Sequence, residues 1–338
     1  MGNKEKIDFV VTWLDSNDPE WQQQYRQLRP GPHAEDKGRF RNWDLFRYWF
    51  RAVEQYAPWV HKVFLVTNGR FPDWINRDNP KLVLVSHTDF MPKEYLPTFN
   101  SCAIEMCLGR IPGLSEYFVY FNDDFYINQP TEPTWYFRNG LPCDCNAEKY
   151  ETPTYNPRGL FSNKIQVFCN VGVLNYHFNR QRTVRQAPRK WYGTHLWGKF
   201  FVPSLLFLGK QQFVAFALRH LEQPMLRSVF DEIWEQEPDM CKRTCSQFRQ
   251  DVSLNPYIVR YWQFATNRFH PVRNNFGRYM TINVKSLKQI GAALRSKKIH
   301  SLCLNDTTQV QDEDFDECRT FLHRAFEAKF PHKSTFEL

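Results

Sequence analysis

The first 130 residues switch repeatedly between two hydrophobic periods. Residues 7–13, 61–67, 81–86 and 117–121 are short, continuous runs of aliphatic, β-branched and aromatic residues, which predict buried strands. Polar residues follow three of them: Asp15-Ser16-Asn17-Asp18-Pro19, Asn68-Gly69 and Asn122-Asp123-Asp124. Between the runs, Leu45, Tyr48, Trp49, Ala52, Val53 and Tyr56 recur at helical spacing. Residues 100–110 read as another helix, capped by Asn100 or Ser101. Strands that are apolar on both faces and separated by helices predict a Rossmann-like α/β fold, with a mostly parallel sheet flanked by helices. In such a sheet ligands bind beyond the carboxyl ends of the strands, where Asp15, Asn68, Asp123 and Asp124 fall.

The pattern then changes. Residues 1–130 are assigned to a nucleotide-sugar core. Residues 131–194, rich in Pro, Asn and Tyr, predict a loop-rich insertion with short strands. Residues 195–338 predict a helical C-terminal cover completing the same catalytic domain, mostly helical over 195–270, with later helices at 285–295 and 312–329. Asp312, Asp314 and Asp316 place negative charge at the start of the last one, as its dipole favours.

Charge narrows the partners. The 338 residues carry 44 Lys and Arg against 36 Asp and Glu, a net +8, which favours sugar nucleotides, acidic polymers or an anionic membrane face. The best candidate patch is 180–190. No nucleic-acid-binding motif accompanies the charge, so nucleic acid is not an expected partner. The longest apolar stretch, 200–209, contains Pro203 and is too short to span a bilayer. Residues 1–6 lead into the first strand without a secretory segment. A cytoplasmic protein with reduced thiols is therefore expected, peripheral at most to the inner face of the membrane. Cys143-Asp144-Cys145 is too tight for the usual zinc pair, and Cys241/Cys245 lacks a second pair.

Asp123 and Asp124 interrupt the apolar run 118–127. Burying carboxylates without partners is costly, so they are expected at a strand end facing a cation or polar ligand, and hard oxygen donors there suit Mg²⁺. Alternatively, one caps a turn and the other pairs with an Arg. Asp8, second in its strand, calls for a partner such as Arg41 or Arg47. Glu105 lies in a helix beside Ala103, Ile104 and Met106, as a surface acid or a buried one. His220 and Arg249 each read either as structural residues or as site residues. Leu302-Cys303-Leu304-Asn305-Asp306 is another apolar run ending in an amide and an acid. No Gly-rich phosphate loop, Gly-x-Ser-x-Gly elbow or His-Glu-x-x-His motif is present.

Together these segments resemble the Stealth family of sugar-phosphate transferases. The likeness is carried by Ile7-Asp8-Phe9-Val10-Val11-Thr12-Trp13-Leu14-Asp15; by Arg47-Tyr48, Val66-Thr67-Asn68-Gly69, Leu96-Pro97-Thr98-Phe99-Asn100-Ser101, Ala103-Ile104-Glu105 and Tyr120-Phe121-Asn122-Asp123-Asp124; by the stretch from His220 to Arg249; and by Leu304-Asn305-Asp306 with Phe330-Pro331-His332-Lys333. The chain differs from the family pattern in having Asn42-Trp43 after Arg41 and three residues between His220 and Pro224. The resemblance implies Asp8, Glu105, Asp124, His220 and Arg249 as catalytic residues. Trp13, Asp15, Arg47 and Asn68 would then hold the nucleotide, and Asp124, Asp123 and Asn305 a Mg²⁺ or Mn²⁺. It implies a UDP-N-acetylhexosamine donor, an oligosaccharide or polysaccharide acceptor, UMP release and a bacterial capsule or cell-surface polymer as product. The alternatives are a metal-dependent glycosyltransferase releasing UDP and a non-catalytic module binding anionic glycans.

Overall fold

The computed structural model describes residues 5–29, 41–152, 164–197, 200–217, 220–273, 277–306, 310 and 312–338. The chain opens with β1 (Ile7–Thr12), in which Phe9, Val10 and Val11 are fully buried. A turn leads into α1 (Pro19–Leu28), where the Asp18 side chain accepts from the Glu20 N–H and Pro19 takes the first-turn position that needs no donor. The amphipathic α2 (Phe46–Tyr56) buries Trp49, Phe50, Ala52 and Val53 in the core. Next come β2 (Val63–Thr67), β3 (Leu82–Ser86), the single turn α3 (His87–Phe90) and α4 (Ser101–Met106), capped by Asn100. Then β4 (Tyr117–Asn122) runs through Asp123-Asp124 into β5 (Phe125–Ile127).

The order β3-β2-β1-β4 is parallel throughout, as the apolar runs predicted. Register aligns Thr12 with Val66 on one side and Asn122 on the other, so Trp13, Asn68 and Asp123 leave the sheet at one edge.

The later chain departs from expectation in two ways. Residues 131–194 contain short strands β6 (Phe137–Arg138) and β7 (Leu141–Asp144). Their described residues also form the helices α5 (Lys164–His177), α6 (Arg180–Gln186) and α7 (Pro188–Trp191). The loop-rich reading of this region is corrected. In α5 the polar residues point inward: Asn170 Nδ2 donates to Asn255 Oδ1 (2.6 Å), and Gln166 Nε2 donates to Ser253 Oγ (2.9 Å). Inward amides satisfied by tertiary partners erase the amphipathic stripe from which a helix is read.

The second half is also more than a helical cover. After α8 (Phe201–Leu205), β8 (Gln223–Leu226) adds an antiparallel edge to the main sheet beside β4. Helices α9 (Arg227–Gln236), α10 (Pro238–Thr244) and α11 (Tyr257–Ala265) follow, and α11 packs against α5 and α9. The short β9 (His270–Pro271) pairs with β7. Strand β10 (Gly277–Thr281), helix α12 (Leu287–Arg295), strand β11 (Ser301–Asn305) and helix α13 (Phe315–Lys329) complete the chain. Strands β10, β11 and β5 form a second sheet. Asp123 and Asp124 are therefore the link by which the chain leaves one sheet for another. Arg51 of α2 donates to both carboxylate oxygens of Glu337 (2.9 and 3.0 Å) and to the Phe330 carbonyl (2.8 Å), fastening the end of the chain to the core. No helix among the described residues is long and apolar enough to cross a membrane.

Candidate active site

A cavity of about 450 Å³ opens at the carboxyl edge of the main sheet. Trp13, Asn68, Glu105, Asp123, Asp124, His220, Arg249 and Asn305 all line it. They come from seven separated places in the chain, brought together by the ends of the two sheets, α4 and the loop after α10.

Asp124 is anchored by β11. Its backbone carbonyl accepts from the Leu304 N–H (3.0 Å), and Cys303 Sγ donates to its Oδ2 (3.4 Å). Its Oδ1 is buried without a hydrogen-bond partner. Burial, followed by the charge of Asp123, pushes the Asp124 carboxyl up to about 7. Asp123 is more exposed, yet its partial desolvation within the cavity raises it to about 6, against the pull of the backbone N–H groups of Asp123 and Asp124. Glu105 lies on α4, where burial raises it to about 7 although the Tyr120 hydroxyl bonds it (2.9 Å) and Arg249 is close enough to lower it. Three carboxyl groups share one cavity and are all held above their usual range, so the positive charge of Arg249 does not fully offset them and a bound cation would be favoured there.

The donors suit a hard divalent ion. Asp124 Oδ1 is the orphaned buried oxygen, Asp123 adds a second carboxylate, and Asn305 adds an amide oxygen on the facing strand. Asp124, His220 and Cys303 also offer one ligand atom each, all within 4.8 Å of one another.

Arg249 is set by the loop after α10. Asn100 Nδ2 donates to the Thr244 and Ser246 carbonyls (2.9 and 3.2 Å), and Phe99 N–H donates to the Gln247 carbonyl (2.8 Å). Arg249 Nη2 then donates to Ser101 Oγ (2.8 Å), while its Nε is buried without a hydrogen-bond partner. A fork with an unused buried donor beside the acids is suited to an anionic oxygen. The His220 ring lies edge-on to Phe125 (centroids 5.1 Å apart), with Nδ1 3.2 Å from the Tyr257 hydroxyl. Burial lowers its pKa, so the ring is neutral near pH 7. Trp13 stacks on Phe46 at 6° and 5.7 Å, fixing an indole wall at the strand-end side of the cavity.

Asp8, Asp15 and Arg47 do not line the cavity. Asp8 lies near the amino end of β1, about 13 Å of strand before Thr12. It accepts from Lys62 N–H (3.1 Å) and Ser115 N–H (2.8 Å) and bonds His61 Nδ1 (2.7 Å). Its side-chain partner is His61, not Arg41 or Arg47, because those arginines follow the opposite end of the sheet. Asp15 closes a local turn by accepting from Asn17 N–H (3.0 Å), next to the lining residues Leu14 and Ser16. Arg47 pairs with Asp44 (3.6 Å) and lies over the Trp74 ring.

Cys303, Ser101 and Tyr257 were not singled out from sequence. For Cys303 a signal existed: strand alternation puts it on the same face as Asn305. The other two act through contacts remote in sequence, which no local pattern encodes.

Residues 39–143 match the family described as Stealth protein CR2, conserved region 2. Over 335 residues, 98% of each chain, the protein is 36% identical to the capsular polysaccharide phosphotransferase WcwK of Streptococcus pneumoniae. It is 34% identical to the exopolysaccharide phosphotransferase cps2G of Lactiplantibacillus plantarum, covering 98% of this chain and 96% of that one. Among solved structures, the galactosyltransferase LgtC with donor and acceptor sugar analogs aligns over 93% of this chain and 95% of that one. The identity is 10% and the TM-score 0.35, too loose a likeness to argue from.

Proposed function

The chain belongs to the Stealth family of polysaccharide phosphotransferases, and on that footing we propose that it transfers N-acetylhexosamine 1-phosphate from a UDP-sugar to a hydroxyl of an oligosaccharide or polysaccharide acceptor. UMP leaves, and the product is a sugar–phosphate–sugar diester of a capsular or cell-surface polymer. The observation that carries this reading is the convergence on one cavity of three carboxyl groups, a guanidinium with a free buried donor and an imidazole.

The acceptor oxygen attacks the β-phosphorus, and the bond from that phosphorus to the bridging oxygen of UMP breaks. The C1–O bond of the sugar survives, so anomeric configuration is kept. His220 takes the acceptor proton: in the tautomer whose Nδ1–H donates to the Tyr257 hydroxyl, the Nε2 lone pair is the basic site. Glu105 is the rival base. Arg249 binds the phosphate oxygens through its fork. Trp13 and Asn68 hold the nucleotide; Asp15 and Arg47, outside the cavity lining, would contact it only at its rim. Asp124, with Asp123 and Asn305, would hold Mg²⁺ or Mn²⁺, which when bound offsets the charge of the diphosphate and of departing UMP. Phosphoryl transfer depends chiefly on such positioning and charge neutralisation. The nine cysteines are free thiols, which fits action in the reducing cytoplasm.

The test is to incubate the protein with UDP-N-acetylhexosamine, Mg²⁺ and an oligosaccharide acceptor. UMP and a phosphodiester resonance in the ³¹P spectrum are expected. Release of UDP with no phosphodiester would overturn the assignment in favour of glycosyl transfer by the same acids.

A further inference from the structure

The segment around α8 turns its apolar side chains outward. Ser204 is 2% exposed, and its hydroxyl donates inward to the Phe200 carbonyl (2.6 Å). Val202 and Leu206 are 68% and 67% exposed, and Leu205, Leu208 and Trp197 are exposed as well. Val202, Leu205 and Leu206 fall at i, i+3 and i+4, on one face. The helical turns continue through Leu208 N–H to the Leu205 carbonyl (3.1 Å), which keeps Leu208 with them. Single exposed leucines are ordinary, but a cluster with the polar residue inside and the aliphatic ones outside is not.

The same region concentrates positive charge. Residues 152–221 contain ten Lys and Arg and no Asp or Glu, so this segment carries +10 where the whole chain carries +8. Helix α6 and the start of α7 expose Arg182, Arg185 and Arg189, and Lys210 is exposed beyond the apolar turns. The two features are joined. Arg180, first residue of α6, donates from its backbone to the Gln211 carbonyl (2.7 Å) and from Nη1 to the Phe207 carbonyl (2.6 Å). The acid packed there, Glu148, is buried and held bidentately by Arg180 (2.6 Å to each oxygen), so it does not offset the exposed arginines.

We infer that this face docks on a bilayer surface containing anionic phospholipid. Val202, Leu205, Leu206 and Leu208 enter the boundary between headgroups and acyl chains, Trp197 sits at the interface, and the α6 arginines meet headgroup phosphates. A soluble acidic polymer would satisfy the arginines and leave the aliphatic face in water. A second copy of the chain would set the same positive charge against itself.

Sedimentation with vesicles tests this, using phosphatidylcholine alone and phosphatidylcholine mixed with phosphatidylglycerol. The protein should pellet with the mixed vesicles, less so in high salt, and poorly with phosphatidylcholine. V202D/L206D should weaken binding at least about tenfold, and R182E/R185E by a similar factor that shrinks as salt is raised. Both variants should keep the thermal melt and the turnover of a soluble acceptor. Unchanged vesicle binding by V202D/L206D overturns the inference. So does a wild-type protein that ignores anionic vesicles while binding a soluble acidic polysaccharide, or one that forms a dimer abolished by V202D/L206D. Loss of soluble-acceptor turnover in V202D/L206D would assign the face to the acceptor path instead. Vesicle binding is read without catalysis, so its failure leaves the proposed reaction untouched, and failure of the reaction leaves the docking result standing.

Discussion

Cys303 donates its thiol to the carboxylate of Asp124 across 3.4 Å, joining residues 179 positions apart in sequence. With the Leu304 N–H bonded to the Asp124 carbonyl, this contact holds the turn between β4 and β5 against β11. It fixes one carboxylate oxygen and leaves the other for a ligand.

That division of labour predicts different outcomes at Cys303. Cys303→Ser keeps a donor and should stay within a few-fold of wild type. Cys303→Ala removes it, and the concentration of Mg²⁺ giving half-maximal activity should rise about tenfold or more, as when a group that orients a metal ligand is lost. A metal titration of initial rates on both variants reads this directly.

Asp124→Asn removes a carboxyl that burial already disfavours as an anion. The metal-free protein should be no less stable than wild type near pH 8, while turnover falls at least about 10³-fold. Mn²⁺ binding followed by electron paramagnetic resonance should weaken in parallel. Near-normal turnover would remove Asp124 from the site.

The two candidate bases are separable. His220→Ala should lower kcat by roughly 10²- to 10⁴-fold, the usual worth of a positioned base. Glu105→Gln keeps an acceptor for Tyr120 and should cost less. If the order is reversed, and the acidic limb of the pH–rate profile near 7 vanishes in Glu105→Gln, Glu105 is the base.

Stability should depend on pH through the same acids. Glu105, Asp123 and Asp124 are raised to about 7, 6 and 7, so the folded chain binds more protons than the unfolded one between about pH 4 and pH 7. Their contribution is present below the unfolded carboxyl range and is lost as pH rises through the folded values. Urea midpoints in EDTA should therefore decline less steeply with pH for Asp124→Asn than for wild type. Added Mg²⁺ should stabilise wild type more near pH 8 than near pH 5, because deprotonated ligands bind it.

Asp8 should behave as a structural residue. Asp8→Ala leaves the Lys62 and Ser115 N–H groups without their acceptor and should cost about 3 kcal/mol. A lowered melting temperature with kcat intact in the folded fraction is the expected pattern. A large loss of kcat without loss of stability would return Asp8 to the chemistry.

The sequence by itself determined the core sheet and which of its ends would be polar. Runs such as Phe9-Val10-Val11 and Val63-Phe64-Leu65-Val66 are local hydrophobic signals that need no tertiary information, and Asn68, Asp123 and Asp124 follow such runs directly. Helices α12 and α13 were legible for the same reason. The tertiary structure alone decided that α5 is a helix, since its buried amides find partners on the segment leading into α11. It alone decided that Asp8 serves the far end of β1. And it alone placed Cys303, Arg249 and His220 around Asp124, because contacts such as Cys303–Asp124, Arg249–Ser101 and His220–Tyr257 join residues far apart in sequence and leave no trace in local periodicity. The outward aliphatic face of α8 lies between the two. Its composition was visible in the chain as an apolar stretch, but only packing showed that Ser204 is inside and the leucines are not.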